Sequence, residues 1–262
     1  MPSWFPLVLV VLVLLLSGLA GGTREWLVLR ARERQRGLFS RWPVPMVPIE
    51  ALDPRFVPNE LGPTLGVEVH FIGRGSVAVP GGTSDTEASI LAAMAIGAMR
   101  MFEFGTCTGK TTYLWARNQP GGGRVTTLTL APDQLDDYRV ESGDAAFALR
   151  HARIESAFTT FLYTGTDVES HVEQLYGDSK RFDESPYHDC CDVVFVDGSH
   201  AYSYVVSDSE KALRMVKPGG VVLWHDYNSA TRGVFKALNE LAKVIPLVHL
   251  RGTDLVAFRR PA

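Results

Sequence analysis

The stretch Met101-Phe-Glu-Phe-Gly-Thr-Cys-Thr-Gly-Lys-Thr-Thr112 restricts what the rest of the chain can become. Residues 101–104 read as a buried strand, Gly105 and Gly109 as a turn in which backbone passes close to something, and residues 110–117 as the opening of a helix. Such a turn presents free N–H groups at the positive end of a helix dipole, which suits the polar part of a nucleotide-like ligand. Gly-Lys-Thr invites a P-loop reading, but that loop needs four residues between its first glycine and Gly-Lys, and only Thr106, Cys107 and Thr108 stand here. A Gly-x-Gly-x-x-Gly dinucleotide fingerprint is absent as well. What remains is acidic-x-Gly-x-x-x-Gly, for which a strand-to-helix turn with glycines for tight packing is the plain structural alternative.

The flanking sequence alternates strand and helix signals. Residues 67–72 read as a short strand, and Ser84-x-x-Glu87 as a capping box opening a helix over 88–99. Beyond the glycine turn, 124–130 is valine- and threonine-rich and reads as a strand; 133–138 and 144–154 look helical, 159–163 a third strand, 168–176 a helix. Cys191-Asp-Val-Val-Phe-Val-Asp-Gly-Ser-His-Ala-Tyr202 begins as a continuous apolar strand. A helix over 204–215, the turn Lys217-Pro-Gly-Gly220, a strand over 221–224 ending in His225-Asp226, a helix over 232–243 and a hairpin over 244–250 and 255–259 complete the pattern. Alternation of this kind predicts an α/β fold: a doubly wound, mostly parallel sheet covered on both faces, with a C-terminal antiparallel hairpin.

In an open parallel sheet, ligands bind beyond the carboxyl ends of the strands where strand order reverses. Glu103, Thr129, Asp167, Asp197, His200, His225 and Asp226 all fall at such ends, where buried polar groups need solvent or ligand to satisfy them. Asp197, His225 and Asp226, two carboxylates and an imidazole, suit Mg²⁺ or Mn²⁺ better than structural zinc; the alternative is that His225 and Asp226 cap the next helix and bond each other. His200 is a candidate general base, because an imidazole titrates near neutrality, or else a packing residue against Tyr202. Cys107 has no histidine fixed beside it and reads as a small packing residue.

Taken together, Phe-Glu-Phe-Gly-Thr-x-x-Gly-Lys-Thr-Thr, Val-Asp-Gly-Ser-His-Ala-Tyr and Val-Lys-Pro-Gly-Gly-Val-Val-Leu-Trp-His-Asp-Tyr resemble the class I S-adenosylmethionine (SAM) methyltransferases of the bacterial small O-methyltransferase type, over residues 79–259. The resemblance implies a Rossmann-like seven-stranded sheet and SAM as methyl donor. It also implies that Glu103, Gly105, Thr106 and Gly109 hold the methionine part, that Asp167 lies on the adenine side, for which a helix N-cap is the plain alternative, and that Asp197 stands between cofactor and acceptor, with a divalent metal at this position in some relatives. One residue departs from the pattern. Relatives commonly end the second strand with an acid that binds both ribose hydroxyls, and Thr129 occupies that position; a single neutral hydrogen bond in its place costs roughly 1–3 kcal/mol of affinity unless Asp133 takes over.

The amino end has a different composition. Residues 4–20 are apolar apart from Pro6, Ser17 and Gly18, and extended through Thr23 they would reach roughly 30 Å as a helix, enough to cross a bilayer core. Arg24, Arg30, Arg32, Arg34 and Arg36 follow, so the positive-inside rule places the remainder in the cytoplasm. A cleaved signal peptide competes, although no Lys or Arg precedes the apolar run; a buried core helix is the third reading. The expected layout is therefore a transmembrane anchor over 1–23, a basic juxtamembrane and proline-rich linker over 24–66, and a methyltransferase domain over 67–262.

A net charge of −3 and the lack of a basic run in the globular part argue against nucleic acid as partner. Cys107, Cys190 and Cys191 have neither zinc nor redox spacing and read as free thiols. The function expected is transfer of a methyl group from SAM to a hydroxyl of a small-molecule or lipid-linked acceptor at the membrane, with His200 and Asp197 as catalytic residues. Two rivals stand beside it: a SAM-fold scaffold without activity, motivated by Thr129, and a metal-dependent hydroxylase-like enzyme, motivated by Asp197, His225 and Asp226. Oligomeric state is not legible.

Overall fold

The computed structural model describes residues 18, 22, 23, 26, 27, 43–60, 65–70, 82–144 and 148–262. The chain divides into two units, 1–42 and 43–262. In the first, the described residues Gly18, Gly22, Thr23, Trp26 and Leu27 are helical. Among the described residues no helix is long and apolar enough to cross a membrane; the expected anchor over 1–23 lies outside them except for Gly18, Gly22 and Thr23.

The second unit is built on an eight-stranded sheet. Its elements in chain order are β1 (Met46–Val47), α1 (Asp85–Met94), β2 (Arg100–Phe104), α2 (Lys110–Asn118), β3 (Arg124–Thr129), α3 (Ala148–Glu155), β4 (Val172–Tyr176), β5 (Cys191–Val196), α4 (Tyr202–Met215), β6 (Val216–Trp224), α5 (Arg232–Leu241), β7 (Val248–Leu250) and β8 (Val256–Arg259). The strand order is β1-β7-β8-β6-β5-β2-β3-β4, with β8 antiparallel to both neighbours and every other pair parallel. The chain winds outward from β2 through β3 to β4, then returns to lay β5 on the other side of β2. Strand order therefore reverses between β2 and β5, where an open α/β sheet leaves a crevice.

Both faces are covered, as a parallel sheet requires. Met101, Val125, Val193, Phe195, Val221 and Leu223 pack into one core with Ile90, Leu91 and Met94 of α1 and Trp115 of α2. The alternate residues Phe102, Phe104, Val194, Val222 and Trp224 are equally buried and face the other side. There the Trp224 indole donates to Ser209 Oγ of α4 at 2.8 Å, so α4 lies over that face.

Several expectations are corrected. The sheet has eight strands, not seven, because Met46 and Val47 add a parallel edge strand to β7. The proline-rich stretch is accordingly part of the domain from Pro43 onward: Leu52 and Phe56 are buried in the main core, and Arg55 Nη1 donates to the Ile96 carbonyl at 2.9 Å. Residues 159–163 are not a strand. They wrap the glycine turn, with Leu162 N donating to the Thr108 carbonyl at 2.9 Å, and residues 172–176, expected as helix, supply β4 in register with β3. The apolar side chains of 168–176 fit either period, and pairing with β3 decides it. Residues 65–70 carry no regular secondary structure, the Glu68 backbone bonding the Asn118 side chain instead, so the strand expected at 67–72 is absent from its described part. The Ser84–Glu87 capping box and the terminal hairpin form as read.

Candidate active site

Glu103 is the last but one residue of β2 and points to the α2 face, where it is 1% exposed. Its Oε2 accepts from Thr127 Oγ1 at 2.7 Å and from Thr112 Oγ1. Thr127 is also 2.7 Å from Thr106 Oγ1. Burial raises the Glu103 carboxyl to about 8 against these hydrogen bonds. The geometry thus places Glu103 and Thr106 behind the glycine turn, tying it to β3 and α2, rather than on the surface a ligand would meet.

Gly105 and Gly109 shape the turn for different reasons. Gly105 has φ +99°, and a Cβ there would stand 2.1 Å from the Asp197 carbonyl oxygen; the turn after β2 is pressed against the turn after β5. Gly109, with φ +76°, is the N-cap of α2, and its missing Cβ leaves room for Phe161 at 2.9 Å. Cys107 sits between them at φ +44°, its thiol pushed by burial up to about 12, so no thiolate nucleophile stands here.

At this junction opens a cavity of about 320 Å³, within the range of roughly 300–1,000 Å³ usual for small-molecule sites. Gly105, Cys107, Thr129, Asp197, Gly198 and His200 line it, together with the stacked pair Tyr138 and Tyr204. Thr129 therefore reaches the cavity from the end of β3. Asp167 does not: 72% exposed, it pairs with Arg117 at 2.6 Å and is absent from the wall, so its expected adenine-side place is not met. Asp133 is likewise exposed and outside the wall.

Asp197, His225 and Asp226 do come together, with one ligand-type atom of each within 4.8 Å of the others. His225 Nδ1 lies 3.1 Å from Asp197 Oδ1 and 3.5 Å from Asp226 Oδ2, and its Nε2 lies 3.5 Å from Glu87 Oε2. Burial alone would lower the His225 imidazole, but the Asp197 charge and the other carboxylates hold it well above its ordinary value. Burial raises Asp197. Asp226, which takes φ +60° in the turn after β6, is pulled far below the usual carboxylate range by His200 and His225 against its burial.

His200 Nε2 meets Asp226 Oδ2 at 2.7 Å. Burial works against its charged form, yet this contact raises the imidazole to about 9, so at neutral pH it donates to Asp226 and is not free to accept a proton. The expected general base is, in this arrangement, the cation that fixes Asp226.

Besides Tyr138 and Tyr204, two titratable wall residues were not singled out in the sequence. His151 and Glu155 lie one turn apart on α3 and line the cavity beside His200; their i, i+4 spacing, which puts both on one helix face, is the signal that could have found them. Glu87 was read only as a cap. Its other oxygen accepts from Asp254 N at 2.7 Å, and it closes the ring of carboxylates behind His225.

Residues 102–227, which hold the glycine turn, the cavity wall and the carboxylate–imidazole cluster, match a family model described as a methyltransferase domain. Over that stretch, just under half of the chain, the sequence is similar to methyltransferase domains. Among solved structures, the Podospora anserina methyltransferase PaMTH1 with bound S-adenosylhomocysteine (SAH) is 15% identical, covers 70% of this chain and 81% of its own, and superposes with a TM-score of 0.50. The O-methyltransferase TomG from Streptomyces achromogenes, in complex with SAM, is 19% identical over 68% of this chain and 82% of its own, TM-score 0.44. An O-methyltransferase from Bacillus cereus with SAH is 20% identical over 70% and 84%, TM-score 0.44. At these identities the likeness of this chain to PaMTH1 is one of fold. No curated protein sequence matches the chain.

Proposed function

We propose that the chain is a class I SAM-dependent methyltransferase acting on a hydroxyl of a small or lipid-linked acceptor. One observation carries the reading: within the stretch matched by the methyltransferase-domain model, the glycine turn, Thr129 and Asp197 converge on one cavity at the strand-order reversal. Gly105 and Cys107 present the turn's backbone to the methionine end of the cofactor, Thr129 faces its ribose, and the stacked tyrosines offer a flat surface beside the purine. SAM supplies the methyl group when bound. Direct displacement asks the protein mainly for positioning and for removal of the acceptor proton. Asp197, seated between the glycine turn and the histidines, takes that proton; His200 keeps Asp226 in place.

The donor set Asp197, His225 and Asp226 also fits a divalent cation, since one ligand-type atom of each converges within 4.8 Å and His225 turns Nδ1 to both carboxylates. Mg²⁺ or Mn²⁺ held there would lower the pKa of an acceptor hydroxyl. We further propose that residues 1–23 anchor the protein in a membrane with the methyltransferase domain in the cytoplasm, on the strength of the apolar run and the arginines after it.

The test is single-turnover transfer from methyl-labelled SAM to phenolic small molecules and to extracted membrane lipids. Wild type is expected to label one acceptor class, and Asp197→Asn to lose about a hundredfold in rate while SAM affinity stays within a few-fold. Undiminished turnover in Asp197→Asn would remove that residue from the chemistry.

A further inference from the structure

Beside the Asp197–His225–Asp226 cluster stands a second one made of different residues. His151 and Glu155 project from one face of α3, and His200 comes from the turn after β5; a ligand-type atom of each lies within 4.8 Å of the others. His200 Nε2 is 4.0 Å from Glu155 Oε1, and the His151 and His200 rings are 5.2 Å apart. His200 Nδ1 is buried and has no hydrogen-bond partner. Tetrahedral donors bound to one ion at about 2.0–2.2 Å stand about 3.3–3.6 Å apart, so side-chain adjustments of roughly an ångström would close this set on an ion.

We propose that His151, Glu155 and His200 form a second divalent-cation site at the inner end of the cavity, distinct in ligands and in metal preference from the Asp197 set. Two imidazoles and one carboxylate, with room on the cavity side, favour a borderline transition ion such as Zn²⁺, Fe²⁺ or Co²⁺ over Mg²⁺, which takes oxygen ligands. The surroundings agree: the charges of Asp226, Glu155 and Asp197 all act on His200, and an ion bound there would displace the imidazole proton and take over its part in offsetting them. Asp226 lies between the sets, 2.7 Å from His200 Nε2 and 3.5 Å from His225 Nδ1, so its carboxylate can bridge two ions as in paired metal centres. The cluster opens on the cavity, which gives an ion a path of entry and leaves coordination positions for water or for an oxygen of the acceptor.

The inference does not rest on methyl transfer and is tested without SAM. Full-length protein, purified in detergent and stripped with chelator, is dialysed against Zn²⁺ and its bound metal counted for wild type, His151→Ala, Glu155→Gln and Asp197→Asn. Both α3 variants are expected to lose one equivalent that wild type and Asp197→Asn retain, and each keeps the wild-type unfolding midpoint in chelator. X-ray absorption of Zn²⁺-loaded Asp197→Asn should count two imidazoles on the metal. Uptake unchanged by the α3 variants, or a zinc shell without two imidazoles, overturns the site. Failure of SAM to bind, with zinc uptake as expected, would sink the methyltransferase reading and leave this one standing.

Discussion

Gly105 is the residue on which the glycine turn depends most directly. A methyl group at its Cβ position would fall 2.1 Å from the Asp197 carbonyl oxygen, so Gly105→Ala must part the turns after β2 and β5. Affinity for SAM is expected to drop about tenfold or more, roughly 1.4 kcal/mol or above, with the far-ultraviolet spectrum preserved; calorimetry reads the loss. Thr129 makes the opposite prediction. Thr129→Asp supplies a charged acceptor for two ribose hydroxyls and should tighten SAM by about tenfold, given the greater strength of charge-assisted hydrogen bonds; equal or weaker binding would show that Thr129 does not face the ribose. Glu103 gives a signature in stability. Its carboxyl rises from the ordinary 4.5 to about 8 on burial, so the folded state binds a proton that the unfolded chain releases. Stability is therefore fully present below about 4.5 and declines through about 8, by about 1.4 kcal/mol per pH unit at the steepest. Glu103→Gln removes that slope, and its urea midpoint should gain on wild type between pH 5.5 and 8.5. Parallel curves would place the proton elsewhere.

Among the elements, α1 shows how one side chain serves local structure and site together. Ser84 and Glu87 cap its N-terminus reciprocally, with Glu87 Oε2 accepting from Ser84 N at 2.8 Å, while the same carboxylate faces His225. Ser84→Ala is expected to cost about 1 kcal/mol by denaturant unfolding, without the loss of cation affinity that Glu87→Ala would bring. Cap, glycine turn and strands β2, β3 and β5 were legible because each rests on a local signal: a spacing, a φ only glycine adopts readily, a continuous apolar run. β4 was not. Val172, Glu173, Gln174 and Leu175 gain strand character from long-range partners, the register with β3 and the bond from Thr126 Oγ1 to Glu173 at 3.0 Å. The candidate site divides the same way. Asp197, His225 and Asp226 were readable as polar residues ending apolar strands, whereas the proximity of His151 and Glu155 to His200 depends on where α3 docks. Asp167 looked equivalent to Asp197 in sequence, and the neighbouring Arg117 draws it to the surface instead.

At the scale of the whole molecule, residues 43–60 are part of the sheet domain rather than a tether. Val44, Leu52 and Phe56 are at most 5% exposed, and Arg259 Nη2 reaches back to Asp53 Oδ2 at 2.8 Å. A chain beginning at Pro43 should fold with full stability. One beginning at Val67 loses Phe56 from the core, a deletion of the size that costs about 3–5 kcal/mol, and should unfold at markedly lower denaturant; equal midpoints would return the segment to a linker. The central claim, that the cavity between β2 and β5 binds SAM, is tested most directly by calorimetric titration of SAM and SAH into the chain beginning at Pro43, with and without Mg²⁺, beside the Gly105→Ala variant. Saturable binding of both ligands, weakened at least tenfold in the variant, is the result expected. No binding of either ligand under either metal condition would contradict the account.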